Sequence, residues 1–187
     1  MAERVKLSKR IVDAAELRER VRTAIEQDGV AAIILDLRSN GGGLLNEAVD
    51  VASIFLEEGV VVTTEGLHSP KQVYDVTGDA YTDIPVYVLT DRFTASASEI
   101  VSGALQDEER ATIIGETTFG KGLVQSLEPL SNGGALKVTT AVYLTPDGRD
   151  INEKGIAPDV TAPDDVATEV DEGVEAALDL IAGSAAR

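Results

Sequence analysis

The sequence contains no cysteine, no tryptophan and a single histidine. Without cysteine, a thiolate nucleophile and a thiolate zinc site are excluded. The histidine, His68, lies in the polar stretch 66–70, which is typical of an exposed turn. We therefore expect no histidine general base, and serine paired with lysine is the main nucleophilic combination that the composition leaves.

Basic residues are also scarce, with 16 Lys and Arg against 33 Asp and Glu and a formal net charge of −17. A nucleic-acid-binding face needs clustered positive charge, so nucleic acid is not expected as a partner. The sequence has no apolar run near the length of a membrane span and no signal-peptide pattern at its start. We expect no membrane segment in these residues, and nothing in them indicates an oligomeric state.

Hydrophobic patterning predicts alternating strands and helices in one α/β domain without repeats or linkers. Residues 136–144 are rich in β-branched side chains, and they are a candidate sheet edge to which an extended peptide could add. The predicted strands are 5–7, 31–37, 59–64, 72–76, 86–89, 112–115 and 136–144. The predicted helices are 13–27, with Asp13 as its cap, then 44–56, the helix that begins near Ser96, and 166–182.

The centre of the sequence is a buried strand, 86–89, followed by a helix of small residues that begins at Ser96. The first N–H groups of a helix lack intrahelical partners and favour negative charge, so a serine there has half of an oxyanion hole. The residues 96–99 also fit the S/T-x-x-E capping box, in which Ser96 and Glu99 only cap the helix. On these residues alone capping is the more common situation.

A lysine between two glycines, Gly120-Lys121-Gly122, follows the apolar strand 112–115. Glycine on both sides permits close approach of other backbone. A free lysine, with a pKa of about 10.4, is a poor base, but desolvation disfavours its charged form. A neutral Lys121 amine within reach of Ser96 could accept the hydroxyl proton, as histidine does in other serine nucleophile systems.

A glycine loop follows the apolar run 31–37, whose continuous hydrophobicity is typical of a strand covered on both faces. Asp36, Arg38 and Asn40 stand at the carboxyl end of this strand, where open α/β sheets place ligands. The glycines at 41–43 either present their amides to a substrate carbonyl or form a flexible strand-to-helix turn.

Four segments of the sequence resemble, in the same order, the motifs of the carboxy-terminal processing proteases, a serine peptidase family also called tail-specific proteases. The resemblance implies a layered crotonase-like α/β core with a mixed β-sheet and flanking helices. It covers roughly residues 31–160, and we expect residues 1–187 to be a single catalytic core domain with no counterpart of the family's PDZ domain. The segments are 36–43, 94–100, 115–122 and, further on, 144–149 with 155–160.

The resemblance also implies roles for individual residues. Ser96 matches the family's nucleophile and Lys121 its general base. The family usually has proline where Gly41 stands, and an aspartate recurs at Asp107, although an acidic residue near a helix end is more often structural. The remaining implied roles are orientation of the Lys121 amine by Gln125 and an oxyanion hole made by the backbone N–H groups of Ala97 and of Gly42 or Gly43.

The implied activity is that of a serine endopeptidase that cleaves extended or unfolded polypeptides near their C-termini through an acyl-enzyme, without a metal or cofactor. The family also implies a parent protein in the periplasm or cell envelope, with the cytoplasm as the alternative because these residues include no leader. Two other functions fit the same features. One is a catalytically idle peptide- or ligand-binding domain on this scaffold. The other is a crotonase-type acyl-CoA enzyme, whose phosphate site would need clustered basic residues, and the sequence has few of these near the glycine loop.

Overall fold

The computed structural model describes residues 13–67, 70–165 and 167–185, so the strand predicted at 5–7 and His68 lie outside the described residues. The predicted α/β fold class is confirmed. In chain order the elements are α1 (Ala14–Glu26), β1 (Ile33–Asp36), α2 (Leu45–Ala52), β2 (Val60–Glu65), β3 (Gln72–Asp75), β4 (Val86–Thr90), α3 (Ala97–Asp107), β5 (Ala111–Gly115), β6 (Leu123–Pro129), β7 (Ala135–Leu144), β8 (Val160–Thr161) and α4 (Glu172–Ala185).

One sheet is parallel, with strand order β1-β4-β5-β8. Its strand β4 is buried throughout because helices cover both faces. Val86 and Val88 belong to the core formed with α1, α2 and α3, whereas Tyr87 and Leu89 pack with residues of α4. This alternation is the two-residue period of a strand.

The other sheet is antiparallel, with strand order β3-β2-β7-β6. Strand β7 pairs with β6 along a long hairpin and with the end of β2 on its other side. β7 is an inner strand only at residues 142–144, where β2 pairs with it, whereas residues 135–141 have β6 as their one strand neighbour among the described residues. Most of residues 136–144 therefore lie at a sheet edge as predicted, and β6 is the edge strand on the other side of the hairpin. This edge strand begins directly after Lys121.

The helix ends agree with the predictions in some cases and differ in others. Asp13 caps α1 as predicted, because its carboxylate accepts a hydrogen bond from Ala15 N–H. Helix α2 ends earlier than predicted, and residues 53–55 continue as turns in which Ile54 and Phe55 are buried. Helix α4 begins later than predicted, after Asp171, whose carboxylate accepts from Val174 N–H. No helix of the described ranges is long and apolar enough to span a membrane.

Candidate active site

Ser96 stands on a sharp turn between β4 and α3. Its backbone angles are φ 59° and ψ −120°, a conformation that residues with a side chain seldom adopt. A serine held in this way between a strand and a helix is the arrangement of the nucleophile elbow of hydrolases, which exposes the hydroxyl at the top of a sheet. Ser96 is half-buried, so the residue is accessible at the surface.

The Asp91 carboxylate holds the turn that leads to Ser96. It accepts hydrogen bonds from the backbone N–H groups of Phe93 at 2.9 Å and Thr94 at 2.8 Å. It also accepts from the N–H of Ser39 at 2.9 Å, which ties the loop after β1 to this turn. Burial alone would raise the pKa of Asp91, but the N–H donors of Ser39 and Phe93 hold that pKa below its ordinary value.

The glycine loop lies against the backbone of Ser96. Gly42 has φ +88°, and a Cβ on it would lie 2.6 Å from the Ala95 carbonyl oxygen and 2.7 Å from the Ala97 nitrogen. No side chain fits there, so the residue has to be glycine. The N–H of Ala95 also donates to the Asn40 carbonyl oxygen at 3.0 Å. The structure thus brings the predicted glycine loop and the predicted nucleophile into direct contact.

The backbone amides predicted for the oxyanion hole differ in their hydrogen bonds. Gly42 N–H donates to the side-chain oxygen of Asn40 at 3.0 Å. Neither Gly43 N–H nor Ala97 N–H has a hydrogen-bond acceptor among the described residues. The N–H groups of Gly43 and Ala97 are therefore available to an oxyanion, whereas the N–H of Gly42 would first have to break its hydrogen bond to Asn40.

The lysine segment packs its backbone against the loop that follows β7. A Cβ on Gly120 would lie 2.9 Å from the Lys154 nitrogen, and a Cβ on Gly122 would lie 2.6 Å from the Asn152 nitrogen. The two glycines therefore serve the close backbone approach that their pattern suggested. Lys121 itself is exposed at the surface.

A single carboxylate joins the serine turn to the lysine segment. Glu99 is 0% exposed. Its Oε2 accepts hydrogen bonds from Ser96 N–H at 2.7 Å and Lys121 N–H at 2.9 Å. Its Oε1 accepts from Thr118 Oγ1 and from Gly120 N–H, both at 2.6 Å. The sequence identified Glu99 only as a capping residue, because nothing in the local pattern shows that remote donors converge on it.

Gln125 lies on β6 beside an irregularity in the pairing with β7. Its exposed side chain donates a hydrogen bond to Thr139 Oγ1 at 3.3 Å. No hydrogen bond joins Gln125 to Lys121 within the described part of the chain. The structure thus shows Gln125 on the strand that follows Lys121, but engaged across the hairpin.

Two of the three polar residues predicted at the carboxyl end of β1, Asp36 and Arg38, form an ion-pair cluster, whereas Asn40 accepts hydrogen bonds from Gly42 N–H and Ala95 N–H. Arg38 pairs with Asp36 at 2.7 Å and with Asp171 at 2.8 Å, and both carboxylates raise the pKa of the guanidinium. Because Asp171 precedes α4, the cluster fastens that helix to the parallel sheet. No group of His, Asp or Glu side chains that could hold a metal ion occurs among the described residues.

Three exposed apolar side chains belong to segments that meet at the serine turn. Leu44, next to the glycine loop, is 72% exposed, Phe93 is 55% exposed and Phe119 is 64% exposed. Phe119 N–H donates to the Thr94 carbonyl oxygen at 2.9 Å, so both phenylalanines flank the turn that carries Ser96. Exposed apolar groups gathered at one place typically mark a binding surface.

Comparison with known proteins identifies relatives among the peptidases. The model of peptidase family S41 matches residues 5–162. A carboxyl-terminal-processing protease of Synechocystis is 44% identical over 168 residues, which cover 87% of this chain and 39% of that protein. A carboxy-terminal-processing protease of Bartonella bacilliformis is 46% identical over 142 residues, which cover 75% of this chain and 33% of that protein.

Solved structures show the same likeness. The photosystem II D1 C-terminal processing protease superposes with a TM-score of 0.78 at 39% identity, over 89% of this chain and 44% of that one. The tricorn protease shares the fold, with a TM-score of 0.60 at 20% identity, over 93% of this chain and 17% of that one. The chain spans about two fifths or less of the length of the curated relatives that it matches.

Proposed function

Because the chain belongs to peptidase family S41, we propose that it is a serine-type peptidase core with Ser96 as nucleophile and Lys121 as general base. The observation that carries this proposal is the shared oxygen of Glu99, which holds Ser96 N–H at 2.7 Å and Lys121 N–H at 2.9 Å. Two residues that are remote in sequence are thereby kept as neighbours, as a nucleophile and its base require.

In the first step the Lys121 amine removes the hydroxyl proton of Ser96 while Oγ attacks the scissile carbonyl carbon. The carbonyl electron pair moves onto oxygen, and the oxyanion accepts hydrogen bonds from Ala97 N–H and from Gly43 or Gly42 N–H. A single donor of this kind typically contributes about 3 to 4 kcal/mol to transition-state stabilisation. Gly43 has the advantage that its N–H does not bond to Asn40.

In the second step the Lys121 ammonium returns its proton to the leaving nitrogen as the C–N bond breaks, which leaves an acyl-enzyme on Ser96. Water then attacks the ester with Lys121 again as base, and Ser96 is regenerated. We assign to Gln125 the orientation of the Lys121 amine. This role requires Gln125 to exchange its bond with Thr139 for one to the lysine.

The proposed substrates are extended or unfolded polypeptides, cleaved near their C-termini as the names of the relatives indicate. The exposed apolar side chains Leu44, Phe93 and Phe119 suit peptide side chains. The edge of β6, which begins just after Lys121, can accept an extended backbone as an added strand. A bound peptide would also cover Lys121 and exclude water from it. By the same family likeness, we place the parent protein outside the cytoplasm.

Covalent labelling of the active serine tests the proposal. A fluorophosphonate probe should modify the parent chain at Ser96 and should not modify Ser96→Ala. Labelling and peptide cleavage by Lys121→Ala should be slower by about 10³-fold or more, because the base is lost. Lys154→Ala is the matched control, since Lys154 is an exposed lysine on the loop packed against the same segment.

Equal peptide turnover by the parent, Ser96→Ala and Lys121→Ala would contradict the Ser/Lys mechanism. A parent chain that binds peptides but neither cleaves them nor reacts with the probe would support the idle binding domain instead.

A further inference from the structure

We propose that Glu99 is a positioning residue that couples the nucleophile to the base, with a buried carboxylate that sets the spacing of Ser96 and Lys121. Its catalytic consequence rests on the proposed function, whereas the coupling itself is a property of the structure. Glu99 does not touch the substrate in this proposal. It acts through the backbone of the two residues that do.

The hydrogen bonds of Glu99 exceed what helix capping requires. Capping accounts for the bond from Ser96 N–H alone. The other three donors, Thr118 Oγ1, Gly120 N–H and Lys121 N–H, all belong to the segment that carries the base. An exposed glutamate would cap the helix equally well, so the burial of Glu99 serves the second set of contacts.

The four hydrogen bonds explain how a carboxylate can be buried at this position. A buried carboxylate is costly unless its oxygens are satisfied by hydrogen bonds. Glu99 forms no ion pair among the described residues, and each of its oxygens accepts two hydrogen bonds of 2.6 to 2.9 Å. Short bonds to an ionised acceptor are stronger than neutral ones, so the four donors hold their segments firmly.

Glutamine cannot replace this arrangement although it has the same shape. Its side chain has one oxygen and one NH2 group, so in either orientation the NH2 faces two donors. One orientation loses Ser96 and Lys121, and the other loses Thr118 and Gly120. The connection between α3 and the lysine segment is weakened in both cases.

The connection extends beyond the lysine segment through Thr118. Its Oγ1 donates to Glu99 and accepts from Ile156 N–H at 2.7 Å, and Thr118 N–H donates to the Ile156 carbonyl oxygen at 3.1 Å. Glu99 is therefore the point at which the serine turn, the lysine segment and the loop before β8 are joined.

Substitution of Glu99 and of Asp107 provides the test. Asp107 is a second carboxylate on α3, with a side chain only 3% exposed, and it bonds to a loop away from Ser96. We expect Glu99→Gln to lower kcat by about 100-fold with KM changed less than about threefold, because reacting groups lose alignment. Asp107→Asn should leave kcat within about threefold of the parent.

A second measurement does not depend on peptidase activity. Glu99→Gln should move the NMR amide proton signals of Ser96 and Lys121 upfield together, because the acceptor that they share becomes either a neutral amide oxygen or an NH2 group, and it should speed their hydrogen exchange by about tenfold or more. Asp107→Asn should affect the Asp147 amide, whose N–H donates to Asp107, and neither of the others.

The proposal is overturned if an active parent and Glu99→Gln have the same kcat. It is also overturned if the amide signals and hydrogen exchange of Ser96 and Lys121 are the same in Glu99→Gln as in the parent. Should Glu99→Gln fail to fold, Thr118→Val and Thr118→Ser decide. We expect Thr118→Val to lower kcat about tenfold and Thr118→Ser, which keeps the hydroxyl, to stay within about threefold; equal kcat values would count against the coupling. A parent that never labels at Ser96 refutes the proposed function, while the amide measurement still decides on Glu99.

Discussion

The two ends of helix α3 each carry a buried carboxylate, but the donors around them differ. At the N-terminal end, Glu99 accepts only from backbone N–H groups and one hydroxyl. At the C-terminal end, Asp107 accepts from Asp147 N–H at 3.0 Å and pairs with the Arg149 guanidinium. These contacts are those of a structural residue, as the position of Asp107 near a helix end suggested.

The difference indicates what each end has to maintain. An ion pair holds a loop in place and tolerates small shifts, because charge attraction is not strongly directional. Hydrogen bonds to fixed backbone groups define positions more narrowly. None of the described contacts of Glu99 is with a positively charged side chain. The contacts at the N-terminal end therefore fix the positions of Ser96 and Lys121 relative to each other. The contacts at the C-terminal end hold the loop of Asp147 and Arg149 against α3.

Substitution of the glycine that contacts the serine turn should produce the largest difference between the two ends of α3. Gly42→Ala places a Cβ 2.6 Å from the Ala95 carbonyl oxygen and 2.9 Å from the Ser96 Cβ at the N-terminal end, where the backbone of the serine turn would have to shift. We expect Ser96 labelling to fall by about 10³-fold and the free energy of unfolding by about 2 to 4 kcal/mol. Probe kinetics and urea denaturation measure the two quantities.

Gly59→Ala is the control for Gly42→Ala at the opposite end of α3. Gly59 also has a positive φ, of +105°, but its Cβ would meet the Glu108 side chain at 3.3 Å, and that side chain can move. Gly59→Ala should lower the free energy of unfolding by about 1 kcal/mol and leave the labelling of Ser96 unchanged. Similar labelling by the two variants would show that the contact of the glycine loop with Ser96 is unimportant.

Removal of the cation at the C-terminal end should have a moderate effect. Arg149→Ala leaves the Asp107 carboxylate with fewer partners, and we expect the free energy of unfolding to fall by about 1 to 2 kcal/mol. The value of kcat should stay within about threefold of the parent. A loss of kcat as large as that predicted for Glu99→Gln would mean that the two ends of α3 do not differ in function.

The smallest effect concerns the turn before α3 and its dependence on pH. The pKa of Asp91 is lower in the folded chain than in the unfolded chain, so its stabilisation is present above about pH 4 and is lost as pH falls through the folded pKa. Asp91→Asn should reduce the free energy of unfolding by less than about 1 kcal/mol at neutral pH, because the site is partly exposed. Urea denaturation at several pH values should show the difference shrinking in acid, and a difference that grows there would refute the assignment.

Much of the fold follows from local patterns. The apolar runs predicted β1 and β4, and Asp13 predicted the start of α1, because burial and capping depend on residues close in sequence. The four motifs also identified the family that the comparisons show. The start of α4 was predicted too early, since it depends on Asp171 and its ion pair with the distant Arg38.

The sequence by itself determined the elements, the acidic charge and the residue types available for chemistry, since these depend on composition and short-range periodicity. Only the tertiary structure decided that four donors converge on Glu99 and that Gly42 lies against Ala95 and Ala97. The reason is that a hydrogen bond requires two groups to meet within about 3 Å. Such a meeting between remote segments exists only once β4, β5 and the loops beyond them are packed together.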